Sequence, residues 1–293
     1  MKIFQRSISV LLISTIFIPA LSYSQTSDTN SSKGTFFFIK TQRVFKPLEA
    51  SVFEPRVGAF KDVGADYLRL DIGVEFDLIG YEEGNNLYSF GVDFFTFSNL
   101  RTESNFKFPV DAIDYFFGVN FNYKTKLKKN LDLSSRIRIS HISSHFEDGH
   151  IYERTDTIFT PVVYSREFIN IAGILDYKFN DGFKIRNLLG IEYLIKTIPD
   201  EFGAFSFQYG IELRYMLNKW LTYYLSDEVR AVKVDTISDG YNLNNNLETG
   251  FRIGFAGTRG LNLFFTYYDG QDYKGQYYYR MTNYKAIGFS IDF

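Results

Sequence analysis

The sequence predicts an all-β chain, an antiparallel transmembrane β-barrel of about twelve strands, and three observations predict it. Apolar and polar residues alternate strictly along most of the chain beyond residue 54. The connections between alternating stretches are short and long by turns. The chain closes on an alternating run, Ile287, Phe289, Ile291 and Phe293 against Ala286, Gly288, Ser290 and Asp292. A period of two gives strands with one apolar and one polar face. A soluble sandwich would bury the apolar faces against each other, whereas a barrel turns them to lipid. Stretches of ten residues or more exceed the roughly 5–6 usual in soluble sheets, and the turn asymmetry matches short periplasmic turns and longer outer loops.

Composition narrows the classes. Lys+Arg 32 against Asp+Glu 34 leaves no basic footprint for nucleic acid. The absence of Cys excludes disulfides, thiolate metal sites and a cysteine nucleophile. An aromatic fraction of 19% does not suit a doubly wound enzyme.

The elements follow in order. Lys2 and Arg6 precede an apolar stretch from Ser7 to Leu21, and Ser22-Tyr23-Ser24 ends it with small residues at the cleavage positions. This is the layout of a secretory signal peptide over 1–24. Residues 25–53 read as a periplasmic N-terminal arm, or a plug, and 54–293 as the barrel. Strand cores are expected at 55–62, 66–78, 87–98, 114–126, 131–145, 162–179, 183–197, 204–216, 220–234, 244–256, 261–268 and 277–293. Leu68 to Phe76 alternate with Arg69, Asp71, Gly73 and Glu75, and Phe117 to Tyr123 with Gly118, Asn120 and Asn122. The same holds for Phe207 to Tyr215 and for Leu247 to Phe255. An even count places both termini in the periplasm. Tyr277-Tyr278-Tyr279 reads as an interfacial girdle. The C-terminal aromatic Phe293 resembles the signal read by the barrel assembly machinery, which makes that machinery and outer-membrane lipids the expected partners.

The inward face carries Arg69, Arg136, Arg138, Arg186, Arg214 and Arg252 with Asp71, Glu75, Asp93, Glu192, Glu212 and Glu248. Charges enclosed in a barrel of this size must pair or be solvated. The lumen therefore reads as a packed polar network, with a narrow solute channel as the alternative.

The three His, at 141, 145 and 150, fall in one short stretch. Ile137, Ile139, His141 and Ser143 share the lipid-facing parity, so His141 and Ser143 end that row near the outer edge of the apolar band. A His and a Ser two apart on one strand face place a base beside a hydroxyl nucleophile. Glu167 has the matching parity and height on the returning strand and is the candidate orienter, with Asp148 the alternative. The same residues equally suit a polar rim, where headgroups begin. His145, His150 and Asp148 match no standard metal spacing.

His141-Ile142-Ser143 resembles the His-x-Ser of outer-membrane phospholipase A and of lipid A deacylase. That resemblance implies an acyl hydrolase of the outer leaflet using Ser143 with His141, with calcium as cofactor in the phospholipase case and no cofactor otherwise. Ser143-Ser144-His145 replaces those families' Ser-Asn. A longer stretch, His141-Ile142-Ser143-Ser144-His145-Phe146-Glu147-Asp148, is similar to the hallmark of an uncharacterised bacterial outer-membrane barrel family, a domain of unknown function. Pro47-Leu48, Glu54-Pro55-Arg56, Asp93-Phe94, Asp114-Tyr115 and Tyr164-Ser165-Arg166 extend the match over roughly 45–180, while Phe146-Glu147 and Gly149 depart from it. The family implies fold and location, not activity. The reading is an outer-membrane barrel of structural or narrow-lumen role, with a lipid acyl hydrolase and a soluble periplasmic β-protein as competitors.

Overall fold

The computed structural model describes residues 34–40, 43–146, 162–255 and 257–292. The signal segment, Asp148, His150 and Phe293 lie outside the described residues. The strands are β1 Thr35–Lys40, β2 Val57–Asp62, β3 Tyr67–Glu83, β4 Asn86–Arg101, β5 Val110–Lys128, β6 Leu131–Phe146, β7 Tyr164–Lys178, β8 Phe183–Ile198, β9 Phe205–Asn218, β10 Leu221–Lys233, β11 Tyr241–Ile253, β12 Gly260–Gln271 and β13 Met281–Asp292. From β3 to β13 each strand pairs antiparallel with the next. β2 pairs with both β13 and β3 and closes a ring of 12 strands. Closure leaves no open edge in the ring, which is what a strand-built membrane span requires.

The outward rows are apolar and exposed, among them Phe76, Phe94, Phe121, Ile139, Ile171, Phe207, Phe251 and Phe289. They form a belt around the wall instead of meeting in a closed core, so the soluble sandwich is not the architecture. Among the described residues no helix is long and apolar enough to cross a membrane. All twelve charged residues expected on the inward face are buried.

The N-terminal region departs from the expected arm at 25–53. Its described part is a strand followed by an inner segment. β1 lies on β3 from Thr35 opposite Glu82 to Lys40 opposite Asp77. β2 takes the same edge of β3 farther on, from Gly58 opposite Asp71 to Lys61 opposite Leu68. Between them residues 43–56 leave the wall and run through the interior, where Val44, Phe45, Leu48, Ala50, Ser51 and Val52 are buried.

Polar anchors hold this segment because its backbone groups, taken out of water, need partners. Val44 N donates to Asp77 at 2.7 Å, Glu49 N to Glu212 at 2.7 Å and Ala50 N to Ser226 Oγ at 3.1 Å. Arg186 donates to Pro47 O at 3.0 Å and Asn246 to Ala50 O at 2.7 Å. Side chains pair as Lys46–Asp292 at 2.7 Å, Glu49–Arg214 at 2.5 Å and Arg56–Glu248 at 3.0 Å. Glu54 binds Arg136 and Arg138 together. Phe45 and Leu48 pack on inward-facing Ala172, Ile174 and Leu188.

Toward the long-loop end the interior becomes more aromatic. Phe95, Phe97, Phe116, Ile142, Phe168 and Leu194 cluster there with Tyr164 and Tyr278, and Phe53 of the inner segment packs against them. The connection after β12 folds onto this cluster through a short 3-10 turn, Gly275–Tyr277. Gly275 N donates to Asp114 at 2.9 Å, and Gln276 bonds to Ser144. Tyr277 and Tyr278 are therefore buried rather than forming a girdle, with their hydroxyls donating to Asp111 and Glu201. This also shortens the last strand, which begins at Met281 and not at 277. The lumen is thus a polar network around the inner segment capped by an aromatic cluster.

Candidate functional site

His141 and Ser143 stand on β6 in the outward row that continues Ile137 and Ile139. β7 supplies the facing pair: His141 is opposite Glu167, and Ser143 is opposite Ser165. Side chains directly opposite on one face lie about 4.5–5.5 Å apart at Cβ, so four polar groups meet on the outward wall above Ile137, Ile139, Ile169 and Ile171. On the other flank β5 presents Phe117 to His141 and Tyr115 to Ser143. The imidazole lies beside the Phe117 ring, with centroids 6.3 Å apart.

Glu167 organises the group. Its Oε1 is 3.0 Å from His141 Nδ1 and accepts the Ser165 hydroxyl at 3.2 Å. The same carboxyl oxygen thus serves two partners, while Oε2 is enclosed with no hydrogen bond among the described residues. An Nδ1–H donated to this carboxylate would leave Nε2 as the ring nitrogen with a free lone pair. The structure thus brings His141 and Glu167 together. Ser143 Oγ makes no hydrogen bond to His141 among the described residues. It remains a neighbour by row, two residues along the strand, or about 6.6 Å at Cα. His141 and Glu167 are partly accessible, with side-chain exposures of 40% and 37%.

Of the other site residues, His145 is exposed next to Tyr115, ring centroids 5.9 Å apart, and does not join the group. Asp148, the alternative orienter, lies outside the described residues. Among the described residues no cluster of three His, Asp or Glu side chains could hold a metal ion. Ser165 is the member that sequence reasoning did not assign. Its signal was available, since it shares parity with Glu167 two residues on.

The interior is the second place to look for function. Above the inner segment, Phe53, Tyr164, Arg166, Glu192, Phe202 and Arg230 line a cavity of about 30 Å³, room for about two waters. Arg166 and Arg230 share the two oxygens of Glu192 at 2.8 and 3.0 Å. Ion pairs line the cavity, and its volume is about a tenth or less of the ~300–1,000 Å³ usual for a small-molecule pocket.

A family model described as "Protein of unknown function (DUF1207)" matches residues 95–293. No curated protein matches the chain. Among solved structures, outer membrane phospholipase A from Escherichia coli is similar at 14% identity, with 77% of this chain and 80% of that one covered and a TM-score of 0.47. The β domain of the Bordetella autotransporter BrkA is similar at 11% identity, covering 80% and 97%, with a TM-score of 0.44. The KdgM porin is similar at 11% identity, covering 80% and 96%, with a TM-score of 0.37.

Proposed function

The chain belongs to the DUF1207 family of proteins of unknown function, and from that premise we propose an integral bacterial outer-membrane β-barrel whose lumen is closed. The observation that carries this reading is the inner segment. Residues 43–56 cross the interior, and Lys46, Glu49, Glu54 and Arg56 pair with strand charges on several sides. A diffusion pore needs a water-filled bore, and here the bore is occupied by chain. Planar-bilayer recordings test it. The wild-type protein is expected to insert without steady porin-like conductance. A deletion of 44–53 is expected to conduct, since it removes the filling and leaves the ring. Wild-type conductance as large as the deletion's would overturn the closed-lumen reading.

A second reading is favoured by the 3.0 Å contact between His141 Nδ1 and Glu167. It makes the outward group an acyl hydrolase acting on outer-leaflet lipid. Ser143 Oγ would attack the ester carbonyl as His141 Nε2 takes its proton. Glu167 would stabilise the imidazolium, and the proton would pass to the departing alcohol. Water, activated by the same imidazole, would then release the fatty acid. A polar, ionisable group on a lipid-facing wall is a functional candidate by default. The test is fatty-acid release from phospholipid and from lipid A in detergent, with and without calcium. Ser143→Ala and His141→Ala are each expected to lower it at least about 10²-fold while heat-modifiable migration stays unchanged. Release equal in wild type and both variants would eliminate this chemistry and leave the group a polar rim.

A further inference from the structure

The outward row that carries His141 continues past Glu167. Glu167 stands opposite Lys196 on β8, so Phe117, His141, Glu167 and Lys196 form one row across four strands. Lys196 is exposed. A carboxylate directly opposite is the usual partner of a strand lysine. Lys196 nevertheless makes no ion pair or hydrogen bond among the described residues, and Glu167 gives its bonded oxygen to His141 and Ser165. The row therefore ends in a cation whose charge is uncommitted, beside a base and a hydroxyl, on a wall that faces lipid.

The spacing suggests what would commit it. Lys196 is two strands and one two-residue step from Ser143. Strands lie about 4.8 Å apart and residues about 3.3 Å apart, so the Cα atoms are separated by about 12 Å. The four-carbon stem covers about half of that. What remains matches the few bonds between an ester carbonyl and a phosphate on the neighbouring carbon of an acylated backbone. An ammonium binds phosphate as a point charge.

We propose that Lys196 holds the phosphate of an acylated, phosphate-bearing lipid, with the adjacent ester over Ser143. Glycerophospholipid and lipid A share this chemistry. The ester half rests on the hydrolase reading above, and the phosphate contact stands without it.

The experiment has a binding arm and a kinetic arm. In the Ser143→Ala background, retention of phosphatidylglycerol, lipid A and phosphate-free diacylglycerol is measured by native mass spectrometry in detergent. Lys196→Gln is expected to weaken retention of the phosphate-bearing lipids about tenfold, Lys196→Arg to restore it, and diacylglycerol to be unaffected. Whichever of phosphatidylglycerol and lipid A carries the loss identifies the source. With Ser143 restored, Lys196→Gln is expected to raise KM about tenfold and to leave kcat within about twofold. Equal retention by wild type and Lys196→Gln, or an equal loss for diacylglycerol, would overturn the proposal. Lysine-dependent retention without hydrolysis in the wild type would remove the hydrolase reading and keep the phosphate site.

Discussion

Arg136 and Arg138 are both enclosed almost completely, and the carboxylate they share, Glu54, belongs to the inner segment and not to a strand. Glu75 is a second, longer partner of Arg136 at 3.4 Å and does not reach Arg138. Glu54→Gln keeps the shape and removes the charge, which leaves two buried guanidinium groups with the single Glu75 carboxylate between them and only Arg136 in contact with it. Breaking one side of a buried ion pair costs about 3–5 kcal/mol. The variant is expected to show a lower urea midpoint in lipid vesicles, and a midpoint equal to wild type would mean that Glu54 is not their counter-ion. A single glycine carries a comparable constraint. A Cβ on Gly73 would lie 1.9 Å from Phe95 Cβ and 2.8 Å from Phe94 O, the latter backbone that cannot swing aside. Gly73→Ala is therefore expected to force β3 from β4 locally and lower the temperature at which the compact, detergent-resistant band is lost. An unchanged temperature would show that the pair adjusts freely.

At the scale of elements, the alternating pattern located the ring and missed what departs from alternation. β5 illustrates the success. Its outward Phe117, Val119 and Phe121 are exposed and its inward Asn120 and Asn122 buried. Val119 sits midway along the strand and Leu127 near the short turn. Val119→Arg should lower stability by about 2–4 kcal/mol and Leu127→Arg by about 0–1, read as unfolding midpoints in vesicles. Equal losses would place the belt elsewhere. β3 illustrates the limit. Its core was expected over 66–78; alternation breaks where Leu78 and Ile79 are both apolar, yet a register shift between Asp77 and Ile79 absorbs one residue and the strand runs on to Glu83. β1 gave no periodic signal, since Phe36, Phe37, Phe38 and Ile39 are all apolar. The turn at Tyr277 was hidden for the same kind of reason, as tyrosines suit a rim and an interior equally.

For the whole molecule, the inner segment was the part least legible. Nothing in 43–56 has a period, and its role lies in contacts with residues far along the chain. One trace was present. Ile174 and Leu188 put apolar side chains on the inward parity, which implies an apolar body inside, and Phe45 with Leu48 is that body. The outward group was more readable, because parity and height alone put His141, Ser143 and Glu167 on one patch. The hydrogen bonds were not readable, since Glu167 Oε1 serves Ser165 as well as His141, and no pattern of residue types reveals which oxygen is shared. Lys46 and Asp292 join at 2.7 Å across 246 positions of sequence, the first part of the inner segment to the last strand. A contact so distant closes a loop over nearly the whole ring, which is the slow kind of closure. Asp292 ends the strand that pairs with β2, so the clasp that seats the filling also lies at the seam where the wall meets itself.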